Sequence, residues 1–213
     1  LAAECGVDII DLKNPAAGAL GALPLHMVAS IAGELRGRAP LSATVGDLPM
    51  EPETVRSAVA AMAATGVDYV KLGFFPGGDW LGVIENLKSL TERKVRLVAV
   101  LFADQRFALD WLSLFAAAGF AGAMLDTADK QAGSLTGLRD VSFLSAFVNA
   151  THRQGLLCGL AGSLRVEDIE PLRQLGPGYL GFRGALCSGV RTGELNPRLV
   201  AELLTQIRTP AHV

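Results

Sequence analysis

The feature that most constrains the fold is a regular alternation of short apolar runs with segments of helical periodicity. Seven runs rich in β-branched and apolar residues occupy positions 7–13, 40–46, 67–73, 95–103, 121–126, 156–162 and 179–184. Between them, apolar residues recur at helical spacing, as at Phe107, Trp111, Leu114 and Phe115. Because no hairpin signal joins the runs, this alternation predicts a parallel sheet with right-handed helical crossovers, either a barrel or an open doubly wound sheet.

The number of runs favours the barrel. Seven strands are one fewer than a closed eight-stranded barrel needs, and residues 1–6 look like the end of a helix. We therefore expect an α/β fold, a TIM-type (βα)8 barrel whose first strand is absent from this chain, with the visible strands being the second to the eighth. Since no low-complexity run, charge block or linker divides the sequence, residues 1–213 are expected to form a single barrel domain.

Charge and hydropathy narrow the choice of partner. Half of the 213 residues are apolar, and the formal net charge of -2 leaves no basic excess for nucleic acid or an anionic membrane. The most apolar stretch, residues 111–125, is too short to cross a bilayer and is interrupted by two glycines. We therefore expect a small-molecule partner, with no nucleic acid and no membrane. The sequence leaves open whether the chain forms a homo-oligomer.

Cysteine and histidine patterns predict neither a disulfide framework nor a metal site. The three cysteines are odd in number and lack C-x-x-C spacing, which indicates a reducing cytoplasm, and the three histidines show no ligand spacing. Residues 176–181 match G-x-G-x-x-G, but they precede a strand, whereas a dinucleotide site follows a strand and opens a helix. We therefore expect no metal and no redox cofactor.

Charged residues lie at the ends of alternate predicted strands, where the active site of a (βα)8 barrel is built. Period-two alternation in the first run places Asp11 and Lys13 on one face. Lys71 lies near the end of the third run, and Asp126 closes the fifth, followed one short turn later by Lys130. Because a buried charge is costly without a partner or ligand, we expect these five residues to converge. The alternative for any one of them is an ion pair at the barrel mouth.

These residue types suit amine catalysis. Two ammonium groups about 4 Å apart would repel by roughly 4 kcal/mol at an effective dielectric near 20, which would favour a neutral lysine. A neutral amine forms a Schiff base with an aldehyde or ketone, and nearby aspartates suit proton transfer and orientation of the lysines. The hypothesis predicts that borohydride trapping during turnover labels Lys13.

Phosphate recognition is predicted on the other side of the same mouth. Gly162 and Ser163 end the sixth run, and Arg183 and Gly184 end the seventh. Loops after the last two strands of this fold, with a helix N-terminus, commonly bind phosphate. The alternative is an N-cap at Ser163 and a surface ion pair at Arg183. A glycine-rich turn at residues 14–21 is expected either to cover a substrate, with its last four residues as a candidate second phosphate site, or to be only a tight loop.

Several blocks of sequence together resemble one enzyme family. They are residues 8–15 with the glycines at 18 and 21, then 42–47, 69–73, 124–128 and 160–163. In order and spacing these blocks are similar to the (5-formylfuran-3-yl)methyl phosphate synthase family over nearly the whole chain. The resemblance implies a TIM-barrel lyase that condenses two molecules of glyceraldehyde 3-phosphate into a furan aldehyde phosphate, an early step toward the furan of methanofuran-type one-carbon carriers.

For the site, the resemblance implies Lys13 as the Schiff-base lysine, with Asp11, Lys71, Asp126 and Lys130 as its acid–base partners. One departure from the family is the absent first strand, which would leave unpaired edges on the neighbouring strands. Since fold alone does not fix chemistry, the alternatives are a class I aldolase or phosphosugar isomerase of the same fold, and a phosphosugar-binding barrel without catalysis.

Overall fold

The computed structural model describes residues 1–129, 132–189 and 192–209. Within these ranges seven strands alternate with helices. The strands are β1 (Ile10–Leu12), β2 (Leu41–Thr44), β3 (Tyr69–Gly73), β4 (Leu97–Phe102), β5 (Gly122–Asp126), β6 (Leu157–Leu160) and β7 (Tyr179–Leu180). The helices are α1 (Leu25–Leu35), α2 (Pro52–Ala63), α3 (Trp80–Thr91), α4 (Trp111–Ala117), α5 (Leu135–Leu138), α6 (Val141–Arg153), α7 (Ile169–Arg173) and α8 (Pro197–Arg208). Each of the seven predicted runs contains a strand, which confirms the alternation.

The helices form where an apolar stripe coincides with a stop or start signal. In α6 the side chains of Leu144, Phe147 and Val148 are buried on one face. Its first turn is capped by Asp140, whose carboxylate accepts a hydrogen bond from the backbone N–H of Phe143 at 2.8 Å. The other helices bury similar stripes against the sheet.

Helix α4 is shorter than its periodic pattern. The apolar residues at helical spacing include Phe107, whereas α4 begins at Trp111. The guanidinium of Arg139 donates to the backbone oxygens of Ala103 and Gln105, at 2.7 and 2.6 Å, and this holds the segment after β4 as a loop. Tertiary hydrogen bonding therefore overrides the local pattern there.

The sheet is parallel throughout, and every strand pairs with its neighbours in chain order, from β1 to β7. Adjacent strands lie about 4.8 Å apart, so a flat sheet would separate β1 from β5 by about 19 Å. The ammonium nitrogen of Lys13, which follows β1, nevertheless lies 3.5 Å from a carboxylate oxygen of Asp126, at the end of β5. The sheet is therefore curled into a partial barrel with the carboxyl ends of its strands around one mouth.

Curling divides the buried side chains into two sets. The larger set lies between the outer face of the sheet and the helices. The smaller set fills the concave side; it consists of Ala19, Leu20, Val98, Val100, Phe102, Met124 and Ala161. The polar residues of the site lie on this concave side because alternate residues of each strand face inward.

Among the described residues, β1 and β7 each pair with a single strand, and residues of both line a cavity within the curled sheet. Its walls include Val7, Leu180, Leu203 and Ile207. Helix α8 lies alongside, and the guanidinium of Arg208 donates to the backbone oxygen of Gly6 at 2.6 Å. Within the described residues, none of the helices is both long enough and apolar enough to span a membrane.

Candidate active site

A buried lysine in β3 and an aspartate in β1 form the first part of the site. Lys71 lies in β3 with its side chain 8% accessible, and its ammonium donates to the carboxylate of Asp11 in β1 at 2.8 Å. The other carboxylate oxygen accepts a hydrogen bond from the hydroxyl of Ser42 in β2 at 2.5 Å. Both oxygens of Asp11 are thus engaged by side chains from the two following strands.

The surroundings of Asp11 keep it ionised. Burial raises the pKa of this carboxyl, but the charge of Lys71, hydrogen bonds from Lys71 and Ser42, and the charge of Lys13 outweigh it and hold the pKa below its ordinary value. The side chain is still 37% accessible because it borders a cavity within the curled sheet. Asp11 is therefore a carboxylate at neutral pH, and its free edge faces the cavity.

A second lysine–aspartate pair lies at the same mouth. Lys13 directly follows β1, and its ammonium lies 3.5 Å from Asp126, whose side chain is 6% accessible. The other oxygen of Asp126 accepts the backbone N–H of Thr127 at 2.7 Å, which fixes the carboxylate toward Lys13. A proton leaving the Lys13 ammonium thus has a carboxylate beside it.

The ion pairs described for this site join lysines to carboxylates. The sequence led us to expect repulsion between the ammonium groups of Lys13 and Lys71. The described contacts pair each lysine with a carboxylate and do not test this repulsion, so it stays a prediction. Lys130, the fifth residue expected in the cluster, lies outside the described residues.

One cavity of about 740 Å3 contacts all four of these charged side chains. It is also lined by the loops after β6 and β7, which contain the glycines and the arginine expected to bind phosphate. The four charged residues and the two loops are thus brought to a single space. This is the convergence expected from strand-end positions in a barrel.

The loop after β6 has a constrained backbone. Gly162 has φ +114°, and a Cβ added there would lie 2.8 Å from the methyl carbon of Thr127. Ser163, with φ +48°, adopts the left-handed conformation that few non-glycine residues use, and the N-cap of the following short 3-10 helix is Arg165. The N-cap interpretation of Ser163 was therefore wrong. In the described part of the chain, the backbone N–H groups of Gly162 and Ser163 have no protein acceptor.

The loop after β7 supplies the other part of the expected phosphate site. Arg183 precedes a 3-10 turn, Gly184–Leu186, and its guanidinium donates to the backbone oxygen of Gly193 at 3.0 Å. This contact is with a carbonyl, and the surface ion pair considered as the alternative for Arg183 stays a prediction. Both Arg183 and Gly184 line the cavity.

The glycine-rich turn after β1 folds into the barrel. The carboxylate of Asp47 accepts the backbone N–H groups of Ala19 and Leu20, at 2.8 and 2.7 Å. The Leu20 side chain is fully buried and occupies the space that a side chain at Gly73 would need. The Asp47 carboxylate already accepts hydrogen bonds from these two backbone N–H groups. They therefore do not support a second phosphate site in this turn.

Tyr179 is a cavity residue that sequence reasoning missed. It begins β7, its ring lies across Gly159, and its hydroxyl donates to the sulfur of Met124 at 3.4 Å. Burial raises the pKa of Tyr179 far above its ordinary value, and negative charge at Asp11 and Asp126 reinforces the shift, so the hydroxyl stays protonated. Only the tertiary structure shows this position, since the sequence places Tyr179 at the start of a strand rather than at its end.

The curled sheet is shared with solved enzyme structures. Phosphoribosylanthranilate isomerase from Thermotoga maritima matches with a TM-score of 0.67 at 13% sequence identity, covering 97% of this chain and 90% of that one. 3-Hexulose-6-phosphate synthase from Salmonella typhimurium matches with a TM-score of 0.65 at 17% identity, covering 95% and 89%. At such low identity these similarities show the fold alone.

Sequence comparison is more specific. The family model described as 4-HFC-P synthase matches residues 1–204. A protein of Methylorubrum extorquens provisionally named as a (5-formylfuran-3-yl)methyl phosphate synthase is 41% identical over 208 residues, 97% of this chain and 86% of that protein. The (5-formylfuran-3-yl)methyl phosphate synthase of Methanosarcina barkeri is 33% identical over 217 residues, covering 97% and 93%. On this evidence the chain belongs to the (5-formylfuran-3-yl)methyl phosphate synthase family of enzymes.

Proposed function

We propose that this chain condenses two molecules of glyceraldehyde 3-phosphate, through a Schiff base on Lys13, into (5-formylfuran-3-yl)methyl phosphate for a methanofuran-type carrier. The observation that supports it most is the pairing of Lys13 with Asp126 beside the pair of Lys71 with Asp11, all four around one cavity. The family membership gives the product, and the resemblance of the sequence to this family implies glyceraldehyde 3-phosphate as the substrate.

The chemistry begins at Lys13. Its amine, after giving a proton to Asp126, attacks the aldehyde carbon of one triose, and the carbinolamine loses water to form an iminium. A carbon–carbon bond to the second triose, followed by ring closure and elimination of phosphate and water, gives the aromatic furan as an iminium on Lys13. Addition of water to this iminium releases the furan aldehyde and restores the Lys13 amine. Two trioses supply the atoms of one furan phosphate, one inorganic phosphate and two waters in total, with no net oxidation. This series of reaction steps therefore requires acids and bases but no oxidant or reductant.

Proton transfer is divided between the two pairs. Asp126 lies beside Lys13 and serves as its base, while Asp11 and Lys71 form a second donor–acceptor pair within reach of the same cavity. We also assign Lys130 to this group from the family resemblance. The neutral amine at Lys13 is the species that reacts, and transfer of its proton to Asp126 leaves the site's total charge unchanged.

For the phosphate of one triose we propose the loops after β6 and β7. Gly162, Ser163, Arg183 and Gly184 line the cavity, and the donors proposed are the backbone N–H groups of the first two and of Gly184, with the guanidinium of Arg183. Backbone N–H groups and an arginine are the donors that phosphate oxygens prefer in proteins.

We further propose that the curled sheet is seven strands of a (βα)8 barrel. The support is that β1 and β7 each have one strand partner among the described residues, and that residues of both strands line the same cavity. Adding the N-terminal residues of a relative ahead of Leu1 should protect the amides of β1 and β7 from exchange. Unchanged exchange at both edges would contradict closure of the barrel by a strand between β1 and β7.

The direct test is incubation with glyceraldehyde 3-phosphate alone. We expect furan-aldehyde ultraviolet absorbance to appear together with equimolar inorganic phosphate, and borohydride to leave a triose adduct on Lys13 by peptide mass spectrometry. Lys13→Met should abolish product and adduct, whereas Lys88→Met, at an exposed helix position, should leave both unchanged.

Other products would redirect the assignment. A hexose bisphosphate with no released phosphate would indicate an aldolase, and interconversion of triose phosphates alone would indicate an isomerase. If neither absorbance nor phosphate appears with the folded protein, the proposed synthase activity is wrong.

A further inference from the structure

We propose that Ser42 is a positioning residue, whose hydroxyl fixes the carboxylate of Asp11 onto Lys71 in the reactive arrangement. The expected effect on the reaction rate rests on the proposed function. The hydrogen bonds of Ser42 and Lys71 to Asp11 do not, since the structure gives them directly. Ser42, Asp11 and Lys71 lie on consecutive strands β2, β1 and β3.

The geometry gives each oxygen of Asp11 its own donor. Ser42 Oγ lies 2.5 Å from Oδ1, and Lys71 Nζ lies 2.8 Å from Oδ2. The first distance is at the short end of the range for a hydroxyl donating to a carboxylate, which is where charge-assisted hydrogen bonds lie. Because Asp11 and Ser42 are also paired in the register of β1 and β2, the backbone presents the hydroxyl directly opposite the carboxylate.

Asp11 needs such a restraint because it is the most open charge of the cluster. Its side chain is 37% accessible, against 8% for Lys71 and 5% for the whole of Ser42. Without the hydroxyl, water in the cavity would compete for the carboxylate, which would be free to turn away from Lys71. Ser42 is buried and has one proton to donate, so its hydrogen bond selects one orientation of Asp11.

The groups that face Asp11 come from several elements. Lys71 belongs to β3, Lys13 follows β1, and the Tyr179 hydroxyl group comes from β7. Asp126, at the end of β5, reaches this group through its pair with Lys13. Of these neighbours, the two lysines favour the ionised form of Asp11, while Asp126 adds negative charge. Ser42 contributes without any charge of its own, so its removal changes the hydrogen bond alone.

Strand β2 offers a matched comparison. Thr44 lies two residues after Ser42 on the same face, and its hydroxyl donates to the backbone oxygen of Gly21 at 3.1 Å. The two hydroxyls therefore have separate partners, one in the charged cluster and one in the turn after β1. Loss of the Thr44 hydroxyl disturbs the turn but leaves both donors to Asp11 in place.

The test compares Ser42→Ala, Ser42→Thr and Thr44→Val by pH–rate profile and by 13C NMR titration of the Asp11 carboxyl. In Ser42→Ala, Asp11 loses a donor to its ionised form, so both its titration and the acid limb of kcat should move to higher pH. We expect kcat to fall on the order of tenfold at neutral pH with a smaller change in KM. Ser42→Thr should restore both toward wild type, and Thr44→Val should leave the titration of Asp11 unchanged.

Two results would overturn the proposal: a wild-type Asp11 titration in Ser42→Ala, or the same displaced titration in Ser42→Ala and in a folded Ser42→Thr. Should Ser42→Ala not fold, Ser42→Cys, which keeps the volume but donates weakly, is titrated instead with the same expectation. The NMR arm does not depend on turnover. A shifted Asp11 in a protein that makes no furan would therefore retain the role of Ser42 and reject the proposed function.

Discussion

Lysine and aspartate at this site depend on each other for burial. The Lys71 side chain is 8% accessible, and the described partner of its ammonium is the Asp11 carboxylate at 2.8 Å. Removing one partner of a buried pair leaves the other desolvated without compensation, which costs more than the pair contributes when intact. Each residue of the pair therefore compensates the burial of the other, and we expect substitution at either one to lower stability.

Replacing Lys71 by methionine tests this dependence. Because Asp11 is partly open to the cavity, we expect the free energy of unfolding at pH 7 to fall by about 1–2 kcal/mol, below the cost for a fully buried pair. Lys88→Met is the control, since Lys88 pairs with Glu85 on an exposed helix surface, and should change stability by less than about 0.5 kcal/mol. Urea unfolding at pH 7 measures both, and equal effects would contradict the argument.

The same variant should change how stability depends on pH. In the wild type the lowered pKa of Asp11 stabilises the fold above the ordinary pKa of a carboxyl, and that contribution is lost as pH falls through the folded-state pKa. In Lys71→Met the charge and hydrogen bond that lower it are gone, while burial remains. We therefore expect a smaller loss of stability between about pH 5 and about pH 2 for the variant, measured by urea unfolding; a larger loss would contradict the sign.

Residue identities at the strand ends were largely predictable, but their partners were not. Asp11 and Lys13 share a face because strand side chains alternate, and this can be counted in the sequence. The contact of Ser42 with Asp11 depends on the register of β1 with β2, which no local pattern encodes. Tyr179 was missed for the same reason, since its approach to Met124 crosses a strand that has glycine at the crossing point.

At the scale of elements, two aspartates fasten the loops that carry the site. Asp47, after β2, accepts the backbone N–H groups of Ala19 and Leu20 in the turn after β1. Asp104, after β4, accepts those of Ala128 and Asp129 in the loop after β5, at 2.9 and 2.7 Å. In each case a carboxylate from a neighbouring strand end receives two consecutive amides. The loops following Lys13 and Asp126 are therefore held by the same kind of contact, a carboxylate that accepts two consecutive backbone N–H groups.

Replacing Asp104 by asparagine should loosen the loop after β5. An amide offers one acceptor in place of two and directs its NH2 at a backbone N–H, so we expect stability to fall by about 1–2 kcal/mol. Amide exchange at Ala128 and Asp129 should quicken on the order of tenfold. Asp110→Asn is a matched control because the Asp110 carboxylate makes no capping hydrogen bond in α4. Exchange at Ala128 unchanged from wild type would contradict the role of Asp104.

Strand β6 depends on a glycine at its third residue. A Cβ at Gly159 would overlap the ring of Tyr179, so Gly159→Ala should displace that ring from the cavity floor and cost about 1–3 kcal/mol. Gly33→Ala, on an exposed face of α1 where a Cβ meets nothing within 4 Å, should instead stabilise by about 0.5–1 kcal/mol. Thermal unfolding compares the two variants, and equal melting temperatures would contradict the overlap.

For the whole molecule, the decisive property is a curled sheet of seven strands that has two edges among the described residues. β3, β4 and β5 have partners on both sides and are buried on both faces, whereas β1 and β7 each have one partner among the described residues. The architecture of alternating strands and helices was predictable because each run is short, apolar and separated by helical periodicity. Strand lengths and the start of α4 were not, since they depend on hydrogen bonds between distant loops.

Backbone exchange should reveal this difference between centre and edge. We expect amides of β3 to β5 to exchange at least about tenfold more slowly than those of β1 and β7, because opening a central strand breaks two sets of ladder hydrogen bonds. Hydrogen–deuterium exchange with peptide mass spectrometry measures all seven strands at once. Uniform protection across the sheet would indicate that something covers the two edges in solution.

The order of strands also sets the order in which the reactive groups meet. Since each strand pairs with the one made before it, a nascent chain emerging from the ribosome can add units one after another. Asp11 and Lys71 are 60 residues apart and come together once β3 has been added, whereas Lys13 and Asp126 are 113 apart and wait for β5. During synthesis, the Lys13–Asp126 pair therefore forms after the Lys71–Asp11 pair.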